Sequence, residues 1–149
     1  MRTLDQKKIP YTAHSYDPDG PIDGVSVAQI LGQSAEQVFK TLVTKAASGA
    51  YYVFDIPVAE NLDLKKAAKA VGEKSVAMLP QKELLPLTGY VHGGCSPVGM
   101  KKQFPTVFHE TAPLYGAICV SAGKIGHQVE CDPNALIALL RAKTADVIV

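Results

Sequence analysis

Hydrophobic and polar positions alternate along the chain with two different periods, which predict short strands and short helices. Residues 38–45 and 51–57 are rich in β-branched and aromatic side chains, which favours strands. A Ser-Gly pair lies in the connection between them, so a β-hairpin is expected. In residues 63–71 apolar side chains recur every three or four positions, and lysines occupy the opposite side. This pattern predicts an amphipathic helix that ends at Gly72.

Shorter elements fill the rest of the chain. Ser26 and Gln29 have the spacing of a capping box, so a short helix is predicted to begin there. The further helices are predicted at residues 4–9, 26–31, 80–85 and 133–140. The further strands are predicted at residues 11–16, 75–78, 106–109, 117–120, 128–130 and 146–149. The mixture predicts an α+β fold with a mixed, mostly antiparallel sheet and surrounding helices, and it leaves barrel closure open.

The composition is that of a single compact domain. The chain has 149 residues, of which 47% are hydrophobic and 19% charged, and this balance suits one core. We therefore expect one domain over residues 1–149. No apolar run approaches the roughly 20 residues of a transmembrane helix. Residues 1–8 also lack the apolar stretch of a signal peptide, so a cytoplasmic protein without a membrane partner is expected.

Charge and ligand spacing exclude some functional classes. The net charge is only +1, with 15 Lys and Arg against 14 Asp and Glu, whereas a dedicated nucleic-acid binder usually has a strong basic excess. We expect no DNA partner, and RNA contact would need a local patch or a partner protein. The three cysteines and four histidines show no metal-ligand or C-x-x-C spacing, so neither a metal nor another cofactor is predicted.

Lys40 interrupts an otherwise apolar predicted strand. Facing a cleft, its charge could stabilise an ester carbonyl oxygen as that oxygen becomes negative. A lysine in such a strand is also a common edge residue that prevents aggregation. Spacing alone favours this second interpretation.

Residues 93–99 form a glycine-rich segment that matches no phosphate-binding motif. Glycine lets a ligand approach backbone N–H groups closely, and proline restricts the path of the loop. Such a loop could bind an acyl carbonyl or a terminal ribose. The candidate contacts are Gly93, Gly94, Ser96 and Pro97. An ordinary long turn explains the pattern equally well.

Basic residues accompany this loop and a second one at 121–126. Lys124 and free N–H groups of the second loop could hold a phosphate, although a hairpin turn is the more common explanation. Lys101 and Lys102 could contact an RNA backbone, or could simply be solvated.

Three other side chains could contribute to a site. Cys95 could act as a nucleophile, but no histidine with a recognisable partner pattern accompanies it. Ser96 has the same weakness. Tyr16 follows a predicted strand, where it could line a cleft or be part of the core.

Taken together, these segments resemble the YbaK/EbsC family over nearly the whole chain. The similar segments are His14 to Asp17, Phe39 to Leu42, Asn61 to Ala68, Thr88 to Lys102, and Val120 to Gly126. Two positions depart from the family's S-G-G-K-R-G segment, because Ala122 replaces a glycine and Ile125 replaces an arginine. Loss of the arginine removes a candidate anion contact.

The resemblance implies the fold of the editing domain inserted in bacterial prolyl-tRNA synthetases, and metal-free hydrolysis of an aminoacyl ester on tRNA. It implies that Lys40 is the essential lysine and that Tyr16, Thr41, Gly94 and Ser121 line the aminoacyl pocket. In the cysteine-specific members, the substrate's own thiol attacks its ester and releases tRNA and a thiolactone.

The resemblance therefore predicts a trans-editing deacylase for Cys-tRNA(Pro), which binds the acceptor end of tRNA(Pro) and could act in complex with prolyl-tRNA synthetase. One alternative is a deacylase for Ala-tRNA(Pro) or another small aminoacyl-tRNA, with water as the nucleophile. The other is a non-catalytic module that binds tRNA or a small ligand.

Overall fold

The fold alternates short strands with short helices, and the computed structural model describes residues 2–149 of the chain. The strands are β1 Tyr11–Ser15, β2 Phe39–Ala46, β3 Tyr51–Pro57, β4 Val76–Met78, β5 Thr106–His109, β6 Ile118–Ser121, β7 His127–Cys131 and β8 Lys143–Ala145. The helices are α1 Arg2–Gln6, α2 Gly24–Ile30, α3 Leu64–Val71, α4 Gln81–Thr88 and α5 Pro133–Leu140, with a 3₁₀ turn at Ala112–Leu114. No helix within residues 2–149 is long and apolar enough to cross a bilayer.

The strands form two sheets rather than the one that was predicted. The larger has the order β4-β2-β3-β5-β8, and the smaller has the order β1-β7-β6. β3–β5 and β5–β8 are parallel and the other pairs antiparallel, as the α+β prediction expected. A single parallel bridge between Val38 and Cys119 joins the sheets. Within residues 2–149, β2 and β6 show no strand pairing beyond this bridge, so the strands do not close into a barrel.

Most helix ends follow the sequence signals. Asp63 caps α3 by accepting the N–H groups of Lys65 and Lys66, and Gly72 ends this helix in the left-handed conformation. The predicted start of α2 was wrong. Asp23, not Ser26, is the cap, because the Asp23 carboxylate accepts the Ser26 N–H at 3.0 Å and the helix begins at Gly24.

The last strand was also misplaced. We predicted it at residues 146–149, but β8 covers Lys143–Ala145 and pairs in parallel with β5. The pairing of backbone groups, rather than the apolar character of the following residues, decides this position. Val147 is nevertheless buried in the core, and Ile148 forms one bridge with Leu62.

Two large apolar clusters hold the sheets in place. Phe54, Ile56 and Val107 pack with α3 on one side of the larger sheet. Phe39 and Phe108 pack with the smaller sheet and α5. β2 contributes Phe39 to the second cluster and Ala46 to the first. Its first half therefore lies beside the smaller sheet, and its second half lies within the larger one.

Candidate functional site

A cavity of about 330 Å³ opens where the two sheets separate. Its wall is formed mainly by the end of β1, the start of α2, the first half of β2, the glycine-rich loop, and the facing ends of β6 and β7, with Val58 and Leu84 completing it. The walls include Tyr16, Lys40, Thr41, Gly93 and Ser121. These five sequence-predicted residues are therefore brought together.

The cavity exists because one edge of β2 is uncovered. β4 and the Leu79 that follows it cover this edge from Val43 to Ala46, and the bridge between Val38 and Cys119 lies at its other end. The Val58 N–H donates to the Val38 carbonyl at 2.9 Å. Because hydrogen-bonding direction alternates along an antiparallel strand, the backbone N–H and C=O of Thr41 point away from β3. They offer the cavity one donor and one acceptor.

Lys40 is a half-buried cation in the cavity wall. Burial lowers the pKa of its ammonium group below the ordinary value, and the charge of Glu60 partly opposes this effect. Within residues 2–149 the ammonium forms neither a hydrogen bond nor an ion pair with a protein group. It can therefore interact with a negative oxygen inside the cavity.

Thr41 connects the cavity to a buried acid that the sequence analysis missed. The Thr41 hydroxyl donates to Asp55 Oδ1 at 2.6 Å, and the two residues are opposite each other on β2 and β3. Asp55 has no exposed surface, and its Oδ2 atom has no hydrogen-bond partner. Burial raises the pKa of Asp55 to about 7, against the effect of the Thr41 hydrogen bond. The available signal was an acid inside the apolar run 51–57.

Cys95 also lines the cavity, but its environment makes it a poor nucleophile. The residue is 8% exposed. Burial, followed by the nearby charge of Asp55, raises the pKa of its thiol to about 12. The reactive form of cysteine is the thiolate, so Cys95 is an unreactive thiol near neutral pH.

Polar groups on the opposite wall come from β6, β7 and the end of β1. The Ser121 oxygen accepts the Gly123 N–H at 3.1 Å, so its hydroxyl proton is available to the cavity. Gln128 is buried and accepts a hydrogen bond from Gln33 at 2.6 Å. The Tyr16 N–H donates to the Gly126 carbonyl at 2.9 Å, which holds this tyrosine at the wall.

The two glycine-rich loops pack against each other. A Cβ atom on Gly94 would lie 3.0 Å from the Ile125 nitrogen, and one on Gly93 would lie 3.1 Å from a methyl carbon of Ile22. Gly94 therefore allows contact between the loops and is outside the cavity lining. Ser96 and Pro97 are buried and also lie outside the lining, with the Ser96 oxygen accepting the Val98 N–H at 3.2 Å.

The sequence profile of the aminoacyl-tRNA editing domain family matches residues 23–139. The chain belongs to this family. It is 46% identical over 148 residues to EbsC of Enterococcus faecalis, covering 99% of this chain and 90% of EbsC. The name of EbsC provisionally assigns it as a Cys-tRNA(Pro)/Cys-tRNA(Cys) deacylase.

Two solved structures share the fold of this editing domain. One, provisionally assigned as a trans-editing enzyme for prolyl-tRNA synthetase, has a TM-score of 0.83 and 26% identity, covering 98% of this chain and 92% of that one. The other, hypothetical protein APE2540, has a TM-score of 0.90 and 22% identity, covering 99% of this chain and 97% of that one. The second similarity concerns the fold alone.

The basic residues predicted to contact RNA lie outside the cavity of the editing domain. Lys101, Lys102 and Lys124 are all exposed. Lys101 extends over Gly89, and the Lys102 ammonium lies 5.9 Å from the centre of the Phe104 ring. Lys124 belongs to the second loop, and its backbone packs against Gly94. The Lys101 ammonium also donates to the Pro86 carbonyl at 3.4 Å, and the exposure of all three makes them accessible to a phosphate backbone.

A possible set of metal ligands lies on the smaller sheet of the editing domain, which sequence spacing does not reveal. In residues 2–149, one group of His, Cys, Asp or Glu side chains has its ligand atoms within 4.8 Å of one another: His14, Cys119 and Glu130. His14 Nε2 is 2.8 Å from Glu130 Oε1, so these two are already hydrogen-bonded.

Proposed function

We propose that this editing domain is a free-standing deacylase that removes cysteine from mischarged Cys-tRNA(Pro). The family and the similarity to EbsC support the class of reaction. Within the fold, the observation that carries the proposal is Lys40, a half-buried ammonium in the cavity wall that forms no hydrogen bond or ion pair within residues 2–149. Such a cation can stabilise the negative oxygen that forms when an ester carbonyl is attacked.

The proposed reaction uses the thiol of the substrate. Its sulfur forms a bond to the ester carbonyl carbon, and Lys40 stabilises the resulting oxyanion. The bond from that carbon to the terminal ribose oxygen then breaks, and the ribose oxygen ends with the proton that the thiol loses. The products are tRNA with a free end and a cysteine thiolactone, which water can open.

In this route the substrate supplies the nucleophile, and the protein positions the substrate and supplies the stabilising charge. This fits Cys95, whose thiol stays protonated near neutral pH. Holding the thiol near the carbonyl makes its attack intramolecular, which can contribute a large part of the rate. A prolyl site cannot strongly reject a side chain of similar size by binding alone, so a second hydrolytic site has a physical reason.

The binding roles follow from position. We propose that Tyr16, Thr41, Gly93 and Ser121 contact the aminoacyl group and terminal ribose, because they line the cavity. We propose that Gly94, Ser96 and Pro97 act indirectly by shaping the loop. We further propose that residues 1–149 form one editing domain and that the exposed Lys101, Lys102 and Lys124 contact the tRNA backbone. Prolyl-tRNA synthetase would be a partner that supplies further affinity.

A second candidate function is removal of alanine or another small aminoacyl group by water. It has specific support, because His92 and His127 line the cavity and histidine is the commonest general base. Alanine has no thiol, so this reaction would require one of these groups to activate the water.

The test is release of labelled amino acid from Cys-tRNA(Pro), Ala-tRNA(Pro) and Pro-tRNA(Pro) by the wild type and by Lys40→Ala. We expect rapid loss of cysteine alone, and its absence in the variant. Selective loss of alanine would favour the water mechanism. No loss from any substrate at high protein concentration would contradict catalysis and favour a binding module.

A further inference from the structure

Asp55 is the feature of the cavity that the proposed mechanism leaves unused. Among the carboxylates of residues 2–149, it alone is buried, and no ion pair within that range compensates it. One of its oxygens has no hydrogen-bond partner. Burying a carboxyl group this way is unfavourable, so its presence beside a cavity calls for a functional account.

The effect of Asp55 reaches the cavity through Thr41. A hydroxyl has one proton, and Thr41 donates that proton to Asp55 Oδ1 at 2.6 Å. The Thr41 oxygen, which belongs to a residue of the cavity wall, then has only lone pairs to offer a ligand. In its ionised form the Asp55 carboxyl places a negative charge behind this hydroxyl, and a cation bound there favours that form, so the pair suits a cationic hydrogen-bond donor.

We propose that Asp55 is a positioning residue that makes the cavity select acyl groups with a free α-ammonium group, by holding the Thr41 hydroxyl as an acceptor. This inference rests on the proposed function, because an aminoacyl ester carries that ammonium group beside its carbonyl. An N-acylated aminoacyl ester, such as a peptidyl or formyl derivative, has lost the positive charge and keeps only one neutral N–H donor. The site therefore distinguishes aminoacyl-tRNA from its N-acylated forms.

The position of Lys40 is compatible with this assignment. Successive side chains of a strand point to opposite faces, so Lys40 and Thr41 diverge from β2 while both reach the cavity. The ester carbonyl can face the ammonium of Lys40, and the α-ammonium can face Thr41. Near Asp55, Cys95 is an uncharged thiol, and it does not compete for the carboxylate charge as a cation would.

The experiment compares Cys-tRNA(Pro) with N-acetyl-Cys-tRNA(Pro), which keeps the thiol. We expect the wild type to favour the free amine in kcat/KM by about tenfold or more, the effect of one charge-assisted hydrogen bond. In Asp55→Asn this preference should largely disappear through a higher KM for the free amine, with the N-acetyl ester little affected. Thr41→Val, which removes the hydroxyl, should lose the preference for the free amine in the same way. Thr41→Ser, which retains the hydroxyl, should keep the preference.

The double variant Asp55→Asn/Thr41→Val provides a matched control. If Asp55 acts through Thr41, the double variant should be no less selective than Thr41→Val. An equal loss for both substrates in Asp55→Asn would mean a structural role and would overturn the proposal, as would an unchanged preference. If Asp55→Asn does not fold, Thr41→Val, at a half-exposed position, replaces it. Loss of the preference for the free amine in Thr41→Val would then support the proposal, and an unchanged preference would overturn it.

Failure of the proposed function can be separated from failure of this inference. If the wild type hydrolyses neither ester, calorimetric titration with amide-linked 3′-cysteinyl-adenosine and its N-acetyl form measures the same preference without turnover. Tighter binding of the free amine, lost in Asp55→Asn, would support the inference alone. Equal binding of the two compounds would overturn it.

Discussion

The two sides of β3 perform different tasks, although their residues alternate along one strand. Phe54 and Ile56 point to the side covered by α3, where the neighbouring side chains are apolar. Asp55, between them, points to the opposite side, towards Thr41 and the cavity. The first side follows the ordinary rules of core packing, whereas the second contains a buried acid with an unpaired oxygen. Departures of this kind are expected where a fold supports chemistry.

The largest expected effect concerns the apolar side. Phe54 has no exposed surface, so Phe54→Ala should lower the free energy of unfolding by about 3–5 kcal/mol, from lost burial and the remaining void. Urea denaturation measures this change. Activity per folded molecule should persist below the new transition, and a specific loss of activity in the folded variant would mean that the two sides are coupled.

Lys40→Ala tests the cavity itself, although Lys40 is paired with Ile56 and its side chain leaves β2 on the face opposite to that of Thr41. We expect a loss of about 10²–10³-fold in kcat, the usual effect of removing one group that stabilises an oxyanion, with unchanged thermal unfolding. Lys45→Ala is the matched control, because Lys45 lies on the same strand but is exposed and outside the cavity wall. Comparable losses in single-turnover assays of both variants would contradict the assignment.

The carboxyl group of Asp55 makes the free energy of unfolding dependent on pH. Its pKa is raised to about 7 in the folded protein, from 3.8 for the free side chain. The native state therefore binds more protons than the unfolded state between these values, so the contribution of Asp55 to stability falls as pH rises through this window. Asp55→Asn should gain stability relative to the wild type between pH 4 and 8, by an amount on the order of a few kcal/mol.

Urea denaturation of both proteins across that range measures the difference, in which the other titrating groups largely cancel. A constant difference would mean that Asp55 does not titrate in this window. A variant that loses stability relative to the wild type as pH rises would mean that the carboxylate is stabilised in the fold.

The smallest expected effect is that of Cys95→Ala. The thiol lies in the cavity wall but stays protonated, so activity with Cys-tRNA(Pro) should stay within about threefold of the wild type, with a stability loss of about 1 kcal/mol. Single-turnover kinetics of the folded variant check this. An inactive, folded Cys95→Ala would restore the enzyme nucleophile and contradict the substrate-thiol route.

Much of the fold could be predicted, because its signals are local. The β2–β3 hairpin and α3 follow hydrophobic periods that the structure confirms, and Gly72 ends α3 as predicted. The start of α2 was missed because Asp23 and Ser26 are both good caps, and only the path of the preceding loop decides between them. The last strand was misplaced because its pairing with β5 is a contact between distant segments.

The candidate site could be predicted only in part. Lys40 was noticed as a charged residue inside an apolar predicted strand. Thr41 and Ser121 were found through the family resemblance. Asp55 was passed over because an acid in an apolar run has no meaning until its strand partner is known. Gly94 was predicted to contact the ligand. In the structure, the absence of a side chain at Gly94 makes room for the Ile125 backbone.

The sequence by itself determined the type of most elements, the α+β class and the family, because these depend on short-range periods, caps and motifs. Only the tertiary structure decided that the strands divide into two sheets, that the gap between them forms a cavity, and that Asp55 stands behind Thr41. The reason is physical: helices and turns are stabilised mainly within a few residues, whereas sheet order and cavity walls depend on which distant strands find each other and how their side chains pack.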